Sequence, residues 1–216
     1  MGLIRELSSK VGAALLVPCL VFAASPEPAD SAWQKHLSDA RSAWPTNSNL
    51  ALTFCDRAVA VAGTNAAPWM MRAAVRDSRG EYEMAVKEVS EALRLNPGLM
   101  DARQLRGTIN FKLLHFRESV RDFDRFLAYA PSQKPYHWQR GISLYYAGDF
   151  EEGRKQFELH ESVNPNDVEN AVWHFLCVAR SSGGERARQL LLKPGPDARV
   201  PMMEIHALFG GEGSVE

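Results

Sequence analysis

Histidines, cysteines and a file of arginines are the side chains of this 216-residue chain that could do chemistry. The histidines, at positions 36, 115, 137, 160, 174 and 206, never pair at helical spacing. No HExxH, GxSxG or GxxxxGK run occurs, so metal-assisted hydrolysis, nucleophile-elbow and phosphate-loop chemistry lack residues to carry them. Cys55 and Cys177 lie far apart and outside any CxxC or Cys/His ligand spacing; buried free thiols are the expectation and a single disulfide the alternative. His160 and His174 read as packing side chains. The sequence therefore implies no catalytic set, no metal site and no cofactor. What remains are Arg72, Arg106 and Arg140, 34 residues apart, and an aromatic stretch from Pro135 to Gly153, PYHWQRGISLYYAGDFEEG.

Apolar residues make up 45% of the chain and charged residues 24%, which fits one substantial core or one repeat array rather than disorder. Lys plus Arg (25) and Asp plus Glu (26) nearly cancel, and no basic block could neutralise a row of phosphates, so nucleic acid is not an expected partner. At the N-terminus, Arg5 and Lys10 precede an uncharged run, Val11 to Ala24. That run is shorter than the roughly 20 residues a spanning helix needs. It reads as a signal peptide over residues 1–23, cut after Ala23, with a Pro-rich linker at 24–30 and a periplasmic or secreted mature chain. Cys19, after LLVP, offers the alternative of a lipid anchor in the envelope, the one route to membrane association.

The elements that must position the arginines and aromatics come from self-similarity at a fixed period. Pro97, Pro131 and Pro165 share the 34-residue step with the arginines, as do Ala73, Gly107 and Gly141, and Tyr82, Phe116 and Phe150. Units counted from Ala66, Met100 and Lys134 add small residues at Ala85, Ser119 and Gly153, then Val89, Phe123 and Phe157. The content is a helical hairpin: small residues at places 8 and 20 let two antiparallel helices approach, an aromatic at place 17 wedges beneath the turn, and proline ends the second helix. Such hairpins bury their apolar faces only by stacking. If place 8 meets about place 24, place 7 lies near place 23. Arg72, Arg106 and Arg140 then reach Glu88, Asp122 and Gln156 inside their own units; the rival reading is a basic stripe for an anionic ligand.

This pattern resembles the tetratricopeptide repeat (TPR), most closely in WMMRAAVRDSRGEYEMAVKEVSEALRLNP, Trp69 to Pro97. The resemblance implies an all-α fold, a right-handed α-α superhelix of about five TPR-like helical hairpins, near 31–65, 66–99, 100–133, 134–167 and 168–193. A short capping helix falls in 198–216. It also implies that first helices line a concave face through places 2, 5, 9, 12 and 13. In the third and fourth units these include Gln104, Phe111, Lys112, Pro135, Trp138, Ile142, Tyr145 and Tyr146. The cluster is either an open contact surface or is covered by the fifth hairpin or the capping helix. The family's carboxylate clamp needs Lys and Asn at places 5 and 9, and Met70, Gln104 and Trp138 stand at place 5 instead. A second, shorter likeness, in RGISLYYAGDFEEG and NPNDVENAVWHFLCVAR, is to NlpI-like envelope lipoproteins. Together these imply a non-enzymatic, protein-binding adaptor of the bacterial envelope that holds a partner segment in its groove, with room for oligomers; the alternative is a cell-wall or glycan-binding accessory protein.

Overall fold

The computed structural model describes residues 32–212, so the expected leader, the linker and Cys19 lie outside the described residues. The described chain forms eleven α-helices and no strand. Five antiparallel pairs follow in order: α1 (Ala32–Ala43) with α2 (Ser48–Val61), α3 (Ala67–Ser78) with α4 (Tyr82–Leu95), α5 (Met100–Lys112) with α6 (Phe116–Tyr129), α7 (Trp138–Ala147) with α8 (Phe150–Glu161), and α9 (Val168–Ser182) with the short α10 (Gly184–Gln189). A last helix, α11 (Met202–Gly210), packs on α9. No helix among the described residues is long and apolar enough to cross a membrane.

Local chemistry sets the boundaries. Asn47 caps α2 by accepting from the Leu50 amide, and Asp167 caps α9 by accepting from the Glu169 amide. The place-17 aromatics Tyr82, Phe116 and Phe150 open α4, α6 and α8. In the turns before them, place 15 takes a positive φ: Gly80 at 75°, Leu114 at 62° and Gly148 at 91°. Glycine reaches that region freely and leucine does not.

The interior obeys a size rule. At places 8 and 24 stand Ala73 with Val89, Gly107 with Phe123 and Gly141 with Phe157, so a larger second-helix residue faces a smaller first-helix one. A Cβ on Gly107 would meet the Phe123 ring at 2.6 Å, and one on Gly141 the Phe157 ring at 2.6 Å. The next rung repeats the rule between hairpins. Ser119 shares a buried 3.1 Å hydrogen bond with Ser143, and a Cβ on Gly153 would come within 2.9 Å of Cys177 Sγ. Cys55 and Cys177 are both buried free thiols, in the first and fifth hairpins.

Each hairpin also packs on the next, and first helices contact first helices along the series α1, α3, α5, α7, α9 more closely than second helices contact one another. First helices therefore line the inside of the curve. The fourth hairpin departs from the pattern expected of it. Pro131 and Pro135 hold residues Pro131–Tyr136 in a 3-10 turn, and α7 begins only at Trp138. Pro135 is thus not on the first helix or its inner face, because proline disfavours the helical conformation of the residue before it and cannot donate to the preceding turn. Instead the turn packs on α8, where Gln156 Nε2 donates to the Lys134 carbonyl and His160 Nδ1 lies 2.8 Å from the Pro135 carbonyl.

Candidate functional site

Two arrays of functional side chains emerge, a charged ladder between the helices and an aromatic patch on the inner face. In the ladder, Arg106 grips Asp122 in a fork, with Nε 2.7 Å and Nη2 2.9 Å from the two carboxylate oxygens. This raises the Arg106 pKa, against the desolvation that would lower it. Arg72 Nε lies 2.9 Å from Glu88 Oε1, a contact that is electrostatic rather than an aligned hydrogen bond, and Arg76 reaches the same oxygen at 3.0 Å. Burial pushes the Glu88 carboxyl up, and the two arginines pull it back. Arg140 donates to Gln156 Oε1 at 3.2 Å.

Sequence spacing alone missed the other half of this ladder. Each arginine also reaches sixteen residues backwards into the preceding hairpin: Arg72 to Asp56 (2.7 Å), Arg106 to Ser90 (3.2 Å) and Arg140 to Asp124 (2.6 Å). One side chain thus ties both helices of its own unit and the second helix of the unit before. His174 stands one further step of 34 along the same column, with Nε2 3.3 Å from Glu158, sixteen residues back. Its forward place is Leu190, and Nδ1 has no partner. Burial lowers the His174 pKa. The ladder is structural, and its cations are occupied by partners within the chain.

The patch gathers where α5, α7 and α9 face inwards. Trp138 and Tyr145 are half-buried and pack on Ile142, Phe157 and Cys177 together with Phe111 and Trp173. Ile142 itself, expected on the open face, is 9% exposed and lies beneath the rings, because the bulk of Phe157 behind Gly141 brings that side of α7 into the core. Tyr146 is 41% exposed, stacked on Phe116 at 4.6 Å and set edge-on to Tyr145 (5.1 Å) and Trp173 (6.0 Å). Trp173 and Phe116 were absent from the sequence-based set. The signal was available for Trp173, which lies in a helix packed on α8, yet it falls at place 6, outside the expected inner-face places.

Polar neighbours of the patch are committed. Lys112 Nζ binds both oxygens of Asp77 at 2.7 Å and lies over the Tyr82 ring. Gln104 Oε1 accepts from His137 Nε2 at 2.8 Å. His137 is wedged against Phe123, and burial drives its pKa down to about 4. The fifth hairpin covers one flank of the patch through Trp173, and α11 packs on the same helix as Trp173, through Phe209 on Phe175.

No family model matches the chain. Its shape does match solved structures. YrrB, a TPR protein with an unusual peptide-binding site, aligns with a TM-score of 0.65 and 18% identity over 84% of this chain and 94% of YrrB. The fold is TPR-like. MamA from Desulfovibrio magneticus RS-1, residues 41 to its end, aligns with a TM-score of 0.65 and 14% identity over 73% of this chain and 89% of that one. A further MamA structure gives 0.65 and 10% identity over 83% and 92%. At these identities the TPR-like architecture is what is shared, and the ladder and the patch are properties of this chain's own residues.

Proposed function

We propose that this TPR-like chain is a non-catalytic protein-binding scaffold of the bacterial cell envelope that holds a partner segment against the inner-face aromatic patch. The observation that carries the reading is Tyr146, a large ring 41% exposed on the concave side within a continuous file of rings from Phe111 to Trp173. Solvent-facing aromatic clusters mark contact surfaces, and aromatic side chains dominate binding energy there. YrrB, with the same architecture, is described as carrying a peptide-binding site. The histidines and thiols give the non-enzymatic reading its support: His137, His160 and His174 each contact a structural partner, and burial pushes both thiols up to about 12. The envelope placement rests on Arg5, Lys10 and the apolar run after them, with a lipid anchor at Cys19 as its variant.

A photo-crosslinking side chain at position 146 in cells tests the surface. Position 129, where Tyr129 is 73% exposed on the second helix α6, is the control. Protein adducts at 146 and not at 129 are expected; equal adducts at both, or adducts at 129 alone, would remove the inner face as the binding surface.

A further inference from the structure

Three histidines are buried among the described residues, His137, His160 and His174. They differ in what stands opposite the two ring nitrogens. His137 and His174 each leave a buried Nδ1 without a partner, so a second proton on either ring would have nothing to bond. Burial accordingly lowers the pKa of both. His160 has an acceptor on each side. Its Nδ1 lies 2.8 Å from the Pro135 carbonyl oxygen, which cannot donate, so that nitrogen carries the proton of the neutral ring. Its Nε2 is then a bare lone pair, and what faces it, at 3.8 Å, is the Asp167 carboxylate. Two acceptors opposed in this way draw a proton between them. The carboxylate raises the His160 pKa against the burial that would lower it, and the Pro135 carbonyl adds to the rise.

Both contacts lie at joints of the array. Pro135 belongs to the 3-10 turn that leads into α7, and Asp167 is the N-cap of α9, accepting from the Glu169 amide at 3.0 Å. His160 sits between them near the end of α8. The charges around it come from four segments. On α9, Asp167 is followed by Glu169. From the segment before α11, Arg199 bonds Asp167 at 3.0 Å and lies 3.5 Å from Glu169, while Asp197 holds Arg199 at 2.6 Å. The turn carries Lys134, an exposed residue, and Glu161 follows His160 on α8. Asp167 thus has two cationic partners, one permanent and one that titrates.

We infer that His160 is a proton-operated clasp: with both nitrogens protonated it ties the cap of α9 to the turn before α7, and when Nε2 gives its proton to water the α8–α9 junction loosens. The neutral ring keeps its bond to the Pro135 carbonyl and opposes a lone pair to Asp167. The sign follows from linkage. A histidine raised above the value of about 6.5 in an unfolded chain contributes stability that is fully present below that pH and is lost as pH rises through the folded value. Arg199 keeps its charge throughout, so the segment before α11 stays attached to Asp167 while the tie across α8 is lost.

The test follows histidine ring resonances of the full mature chain from pH about 5 to about 8.5, with His160 assigned by its loss in His160→Gln. Its midpoint should stand above about 6.5, with those of His137 and His174 below. Asp167→Asn, which keeps an oxygen for the cap and removes the charge, should lower the His160 midpoint by about one unit or more. Arg199→Gln, which leaves that charge in place, should not lower it. Hydrogen exchange, corrected for its intrinsic dependence on pH, reads the junction through the amides of Glu169 and Ala171, which bond Asp167, and of Gly195, which bonds the Pro165 carbonyl. Their protection should fall between pH about 6 and 8, by at most about tenfold for each unit that the midpoint stands above 6.5, and His160→Gln should remove the dependence. Amides of α3 and α4 should keep theirs. A midpoint at or below 6.5 would overturn the clasp, as would a fall in midpoint in Arg199→Gln equal to that in Asp167→Asn. Protection that is independent of pH in the native chain, or equally dependent in His160→Gln, would reduce His160 to a packing side chain.

Discussion

The arginine at place 7 is the residue that makes neighbouring hairpins one body. Its guanidinium offers a fixed fork of donors, so it can serve two carboxylates or amides at once where lysine would serve one. In Arg106 and Asp122 the acid is nearly buried and the fork is complete. A double-mutant cycle on that pair should give a coupling of about 1 to 3 kcal/mol in chemical denaturation. The cycle on Arg140 and Asp124 should give less than about 1 kcal/mol, since the Asp124 side chain is 49% exposed and screened by water. Equal couplings would mean that burial does not set the strength. The sequence carried the forward half of this ladder, because a hairpin's own geometry relates places 7 and 23. The backward half depends on how one hairpin sits on the last, which a single unit does not encode. His137 adds a titration at the same scale. Its Nε2 donates to Gln104 and its buried Nδ1 has no acceptor, so protonation is disfavoured and the pKa falls to about 4, against about 6.5 in an unfolded chain. The unfolded state therefore binds the extra proton first. Stability should be complete above pH about 6.5 and fall as pH drops towards 4, by about 1.4 kcal/mol per pH unit from this group. His174, also lowered by burial, adds to the same slope, whereas His160, raised by Asp167, acts above pH about 6.5, where its contribution is lost as pH rises. His137→Gln should flatten the dependence of the denaturation midpoint between pH 6.5 and 5; an unchanged slope would assign it to other groups.

At the scale of the element, packing and turn geometry divide the work. Places 8 and 24 trade volume, Ala73 with Val89 and Gly141 with Phe157. Gly141→Ala should cost about 1 to 3 kcal/mol by driving a methyl into a fully buried ring. Adding Phe157→Val, which copies the second hairpin, should recover part of that loss; a double variant worse than the sum would refute the trade. The turn at place 15 permits a gain instead. Leu114 holds a φ of 62° where its counterparts Gly80 and Gly148 are glycine, and its side chain is mostly outside the core. Removing the Cβ relieves about 1 to 2 kcal/mol of left-handed strain, against the 0.5 to 1 kcal/mol that glycine's unfolded freedom costs. Leu114→Gly should therefore raise stability by about 0.5 to 1 kcal/mol in the same measurement. The columns at places 8 and 24 were legible in the sequence, since they recur at 34. The start of α7 was not, because two prolines in six residues replace a helical turn with a 3-10 one while the repeat length stays fixed. Nor was the depth of Ile142, which follows from how far Phe157 pushes beneath α7.

Over the whole molecule the array behaves as a stack whose contacts run between neighbours, so its ends set where it loosens. The C-terminal end breaks the volume rule. Phe175 takes place 8 of the fifth hairpin, where alanine or glycine stands in the three before it, and a helix bearing a large place-24 residue cannot close on it. Accordingly α10 stops at Gln189, the chain continues without helix through Pro194 and Pro196, and α11 returns to set Phe209 on Phe175 at 5.0 Å. Arg199 fastens this return, bonding Asp167 at 3.0 Å and lying 3.5 Å from Glu169 at the start of α9. The sequence located α11, but its seat follows from the bulk at Phe175. Phe209→Ala should remove the ring that substitutes for the missing helix and destabilise the array by about 1 to 2 kcal/mol, below the 3 to 5 kcal/mol of a fully buried phenylalanine. The loss should be local. In hydrogen exchange, amides of α9 and α10 should lose protection first while those of α3 and α4 keep theirs, because two intact hairpins separate them from the lesion. Equal loss along the whole chain would mean that the five hairpins unfold as a single cooperative unit and that α11 seals the entire array rather than its last member.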